Sequence, residues 1–134
     1  MPNEITISQR LQITKENLQF LFAPDTKSAD LASVASAGGN QQIGTTAEAL
    51  DLNTDVAANG IAYFKNLSTS IPVEIGISAY SQTTAATTVM VSLLRLNAGE
   101  AAIARPATTN IFAKAITSSG SPSTAFLSFQ IFSP

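Results

Sequence analysis

Apolar residues recur along this chain mostly at every second position, in short runs separated by Gly, Pro, Asn and Ser/Thr clusters. Period two is the mark of a strand with one face turned to a core, so the pattern predicts a β-protein. The most strongly patterned stretch is residues 60–77, where the apolar runs 61–67 and 73–77 flank a polar bend ending in Pro72. It reads as a β-hairpin in which Lys65 faces Glu74, Phe64 faces Ile75, Ala62 faces Ile77 and the Tyr63 ring lies over Gly76. Ala62, Phe64, Val73, Ile75 and Ile77 then turn to a core. Ile61, Tyr63, Lys65 and Glu74 turn outward, on a face less polar than a free surface needs.

Residues 5–7, 11–13 and 18–22 also alternate. They predict an extended N-terminal arm followed by a first strand or two; the arm suits either a strand added to a neighbouring subunit or an edge strand of its own sheet. Residues 23–42 read as a long loop, opened by Pro24-Asp25 and closed by Gly38-Gly39-Asn40. A strand bent near Glu48 is expected over 42–52, and a polar loop with Tyr80 at its root over 78–87. An apolar strand over 88–96 meets the turn residues Asn97-Ala98-Gly99-Glu100, then a strand over 101–105 that Pro106 ends. Further strands are expected over 110–116 and 125–132, the last anchored by Phe126, Leu127, Phe129, Ile131 and Phe132. About eight or nine short strands with no helix predict an all-β antiparallel sandwich or jelly roll. The arm takes residues 1–14 and a single domain residues 15–134. Jelly-roll and immunoglobulin-like strand orders share this spacing, and both stay open.

Composition changes the picture in one respect. Of 134 residues, 45% are hydrophobic but only 12% charged, against roughly 25% in an average soluble domain. Ala, Ser and Thr stand where Lys and Glu usually keep proteins apart. A surface so poor in charge is either sticky or covered by partners, and the covered surface is the preferred reading. Net charge is −2 with no basic run, which argues against a nucleic-acid partner. No apolar run approaches the roughly 18 residues of a membrane span. The start Met-Pro-Asn-Glu lacks the regions of a signal peptide, so a product made in the cytoplasm is expected.

The chain has no His, Cys or Trp, which removes His-based triads, thiol nucleophiles and the usual zinc sites. Asp51-Leu-Asn53-Thr-Asp55 begins like a calcium loop, but Val56 and Ala62 stand where Gly and a bidentate Glu are required. Glu48, Glu74 and Glu100 each adjoin a strand or turn with a structural use for a carboxylate, so no enzyme, cofactor, metal or small-molecule substrate is expected. Arg95, Arg105 and Lys114 lie on successive strands, either as a basic stripe or as solvated positions.

The sequence I-G-T-T-A-E-A-L-D-L (43–52), then Y-F-K-N-L (63–67), V-E-I-G (73–76), L-N-A-G-E-A-A-I-A-R (96–105) and I-F-A-K-A (111–115) resembles small β-structured virion proteins of tailed bacteriophages. The resemblance covers about two-thirds of the chain, from Ile43 onward, and leaves out the N-terminal forty residues. It implies a structural role and carries over no catalytic residue. A protein of this size and class fits a capsid cement or decoration protein, which binds the outside of the major capsid protein lattice and stabilises the shell. Its partners would be the major capsid protein and itself, as a dimer or trimer. A tail or baseplate component is the alternative within the class, and a jelly-roll carbohydrate- or receptor-binding module the alternative outside it. The expected contact residues are Ile5, Ile7, Leu11 and Ile13 of the arm, Ile61, Tyr63 and Lys65 of the hairpin, and Tyr80.

Overall fold

The computed structural model describes residues 5–23, 26–29, 36–52, 60–79, 89–106, 108, 110–117 and 124–132. These residues contain no helix and form twelve strands: β1 (Ile5–Ile7), β2 (Leu11–Lys15), β3 (Leu18–Phe22), β4 (Lys27–Ala29), β5 (Ser36–Ile43), β6 (Glu48–Ala49), β7 (Ile61–Asn66), β8 (Val73–Ala79), β9 (Val89–Leu96), β10 (Ala101–Ala104), β11 (Ile111–Ala115) and β12 (Ala125–Phe132). Every pairing is antiparallel, so the protein is all-β as its alternation predicts. The chain divides into two compact units, Met1–Ser33 and Val34–Ser133.

In the first unit the stretch expected as an extended arm is folded on itself. Strand β1 pairs with β4, and β2 pairs with β3 through a two-residue turn at Glu16-Asn17. Glu16 adopts φ 50° there, the left-handed conformation that tight hairpin turns require and that Asn or Gly usually supplies. The boundary expected after residue 14 therefore falls inside β2. The expected loop over 23–42 likewise contains β4 and the first seven residues of β5.

The second unit holds two four-stranded sheets, in the orders β10-β7-β12-β5 and β6-β11-β8-β9. The pairings nest: β5 with β12, β6 with β11, β7 with β10 and β8 with β9. Two further ladders, β7 with β12 and β8 with β11, knit the nested pairs side by side. Alternate residues of both sheets meet in one hydrophobic cluster that includes Ile43, Phe64, Val73, Ile75, Ile111, Leu127, Phe129 and Ile131. Full burial of each such side chain contributes about 1.5–3 kcal/mol.

The hairpin expected over 60–77 does not form. Strands β7 and β8 lie in different sheets, and residues 67–72 cross between them. Lys65 pairs with Ala101 and Ser128, Tyr63 with Ile103 and Gln130, while Glu74 stands between Arg95 and Lys114. The crossing places Glu74 in a row with two cations, where the hairpin offered one. The space over Gly76 is taken by the Val91 carbonyl and the Met90 side chain, because the β8–β9 register shifts between Ile75 and Gly76 and leaves Leu93 unpaired. The expected turn at Asn97–Glu100 is present: the Glu100 amide donates to the Asn97 carbonyl at 3.0 Å and Gly99 has φ 78°. It joins β9 to β10, and so also crosses between sheets.

Gly38-Gly39-Asn40, expected to close a loop, lies within the edge strand β5. The Gln130 side chain and Phe129 carbonyl approach Gly38 so closely that any Cβ there would collide with them. Glycine is thus used for close approach at a sheet edge rather than for a turn.

Asn66 is fully buried, the one buried polar residue among those described. Its Nδ2 donates to the carbonyls of Ile71 (2.8 Å) and Leu96 (3.1 Å), and its Oδ1 accepts from the Ser68 amide at 3.0 Å. Replacing Asn66 with Ala strands these buried backbone groups and should cost about 3 kcal/mol. The urea midpoint should fall accordingly, and an unchanged midpoint would show that the network contributes nothing.

Candidate interaction surfaces

The two sheets of the second unit differ in the charge they carry. Strands β10, β7, β12 and β5 together contain a single charged residue, Lys65. Strands β6, β11, β8 and β9 contain Glu48, Lys114, Glu74 and Arg95. Inward positions of both sheets feed the core, so the difference falls mainly on the outward faces.

On the charged sheet the row Arg95–Glu74–Lys114 crosses β9, β8 and β11 in register. Lys114 Nζ lies 3.0 Å from Glu74 Oε2, and the Ser92 hydroxyl donates to the same oxygen at 2.6 Å. These two hydrogen bonds, Ser92's first, hold the Glu74 carboxyl below its usual pKa against a partial desolvation. Arg95 and Lys114 thus flank an acid, while Arg105 follows β10 of the other sheet, so the three do not form a basic stripe. A cleft of about 260 Å³ beside the row is lined by Thr45, Glu74, Lys114, Ala115, Ile116 and Thr117. No aromatic platform lines it, and its ionised groups already satisfy one another. Glu48 and Glu100 are equally occupied: Glu48 accepts from the Gly44 amide, and Glu100 accepts from the Asn97 amide at 2.7 Å. The Asn97 hydrogen bonds lower the Glu100 pKa as well.

The outward face of the other sheet is built differently. Tyr63 and Ile103 are register partners on β7 and β10, and both are exposed. Phe126 on β12 is 51% exposed, and its carbonyl accepts from the amide of Leu67, itself exposed. Between these stand Lys65, Ser128 and Gln130, with Asn40 and Gln42 on β5. The face is rich in small and amide side chains, and studded with large apolar ones.

The expected contact residues divide sharply. Tyr63 and Lys65 come together on this outward face. Ile61 does not join them as an accessible contact: it is buried, with 8% exposure, at the end of β7 opposite Phe132. Leu11 and Ile13 share the apolar face of the β2–β3 hairpin, and Ile5 and Ile7 are half-buried on β1. Tyr80 lies outside the described residues, as does most of the calcium-like segment 51–62. Among the described residues no group of three acidic side chains gathers as a metal site. Leu18, Phe20, Phe22, Ile103 and Phe126 are exposed apolar residues that the sequence did not single out as contacts. Phe126, expected as an anchor, faces out because Ala125 and Leu127 beside it face in.

Glu74 generates a pH prediction. A carboxyl held below its usual value stabilises the fold above that value, about 4.3 for glutamate, and the contribution is lost as pH falls through the lowered one. Replacing Glu74 with Gln should cost about 1 kcal/mol near neutral pH and little once the acid is protonated. Urea titrations of both proteins at pH 7 and pH 3 check this; equal differences at the two pH values would rule it out. No family model, no curated protein and no solved structure matches this chain.

Proposed function

We propose that this chain is a non-enzymatic structural subunit of a virion, a cement or decoration protein that lies on the outside of a phage capsid and stabilises the shell. The observation that carries the reading is the uneven charge of its two sheets. Four strands with Lys65 as their sole charge offer a charge-poor face that a free soluble surface would not present. The opposite sheet bears the Arg95–Glu74–Lys114 row, beside the exposed Val91 and Leu93 of β9. Tyr63, Leu67, Ile103 and Phe126 are then the shell contacts, with Lys65 at their centre. Each copy buries a modest area, and repetition over a symmetric lattice turns weak contacts into high avidity.

The fold proper to this reading is a jelly roll. Its support is the nested pairing of β5–β12, β6–β11, β7–β10 and β8–β9, the order reached when one long antiparallel ribbon wraps into two sheets. Viral capsid subunits and lectins both use that architecture. The lectin alternative finds less support, since the cleft at Glu74 and Lys114 lacks aromatic residues. A tail or baseplate position shares the same chemistry and differs in copy number.

Two measurements test the proposal. In purified virions, the ratio of this polypeptide to the major capsid protein should be near one or a simple fraction of it. A ratio near one per cent would move the protein to the tail, and its absence would reject a virion role. Tyr63→Glu combined with Phe126→Glu should weaken binding to the shell about 100-fold and lower occupancy accordingly, since roughly 1.4 kcal/mol per contact is tenfold in affinity. The urea midpoint should stay within error, because both side chains already face water. Unchanged occupancy would show that this face is not the contact.

A further inference from the structure

The β2–β3 hairpin carries a second surface, independent of the sheet face above. Its ladder pairs Leu11 with Phe22, Ile13 with Phe20 and Lys15 with Leu18. Alternation puts these six on one face and Gln12, Thr14, Gln19 and Leu21 on the other. Leu11, Ile13, Leu18, Phe20 and Phe22 are each between 41% and 59% exposed. A two-stranded hairpin is marginally stable at best in water. Side chains of this size, half open, leave roughly 500 Å² of apolar surface in one patch, the upper end of what a monomer shows.

We propose that this face is a contact between two copies of the chain, hairpin stacked on hairpin about a two-fold axis that crosses both strands at the Ile13–Phe20 pair. Area is the first argument. The same patch taken from two copies removes roughly 1,000 Å² from water, which reaches the threshold for a specific interface, and stacked sheets pack naturally at about 10 Å. Charge is the second. Lys15 is the only charged residue on the face and stands at its turn end. The axis carries the two Lys15 residues to opposite ends, so no like charges meet and each ammonium reaches water past the rim. Chemistry at the centre is the third. Ile13 and Phe20 offer no hydrogen-bonding group, so a polar partner surface would be stripped of water with nothing in return. An equally apolar face satisfies the constraint, and stacking Phe20 on Phe20 and Ile13 on Ile13 supplies one.

The contact is tested on the full chain by sedimentation across a concentration series. The unmodified protein should show a reversible dimer, and Phe20→Asp should raise the dissociation constant roughly 100-fold, as for a central aromatic contact. Gln19→Asp, on the opposite face, should leave it unchanged. Circular dichroism and the urea midpoint of each variant guard against a folding defect. Because the chain has no cysteine, a short bis-maleimide acts only at an introduced thiol: Ile13→Cys should cross-link to a dimer and Gln19→Cys should not. A monomer at every concentration, a dimer indifferent to Phe20→Asp, or cross-linking at Gln19→Cys but not at Ile13→Cys would overturn the proposal. The sheet face and the hairpin face share no residue, so the failure of one contact leaves the other standing.

Discussion

One carboxamide ties the second unit together. Asn66 ends β7, and its side chain holds the crossing to β8 through Ser68 and Ile71 while also holding the end of β9 through Leu96. Its backbone is engaged too: the amide donates to the Glu100 carbonyl, and the carbonyl accepts from Gly99. Two separate connections between the sheets, residues 67–72 and residues 97–100, are thus anchored on one residue. A buried amide costs free energy unless every group is matched. No buried side-chain nitrogen or oxygen among the described residues lacks a partner. Complete satisfaction makes the site specify one geometry, because any slip of either crossing would leave several groups unmatched at once.

With the crossings held, the two sheets are free to differ outside. The core needs only alternate apolar residues from each, and both supply them. The outward positions differ chiefly in charge, since Val91 and Leu93 leave apolar side chains exposed on the charged sheet as well. The row of Arg95, Glu74 and Lys114 pairs the acid with Lys114, keeps one net positive charge and adds a modest increment of stability. The face around Tyr63, Ile103 and Phe126 lies outside the core cluster and leaves a third to a half of each side chain open to water. Side chains kept exposed without a role in folding point toward contact with something else.

Much of this was legible in the sequence, and the failures have physical causes. Strands β9 to β12 stand close to where alternation, Gly99 and Pro106 put them. Period two tells which side chains face a core, but not which sheet they belong to. The six residues from Leu67 to Pro72 serve a hairpin and a crossing equally well, and Asn66, the residue that decides, looks in sequence like an ordinary turn former. The hairpin β2–β3 was missed because Glu16 occupies a left-handed position where Asn or Gly would have announced a turn. Gly38 misled in the opposite direction, since glycine is depleted in strands except where another chain segment presses close, as Phe129 and Gln130 do here. Tyr63 and Lys65 share an outward face, as their spacing of two implies, but β10 and β12 rather than β8 lie beside them. Ile103 and Phe126 required the register of β10 and β12, which no local pattern supplies.

The nested pairing sets an order in time. Ile43 of β5 meets Ala125 of β12 across 82 positions, the outermost of the paired ribbons. While the chain is being made, β5 and β7 emerge long before the strand that lies between them. Only the inner pair β8–β9 finds its partner soon. The first sheet therefore stays open until β12 arrives, inserting between two waiting edges. Such long-range closure slows folding, and for that interval the core sides of β5 and β7 face water with apolar residues and unpaired backbone. A low-charge chain in that state depends on closing faster than it meets its own copies.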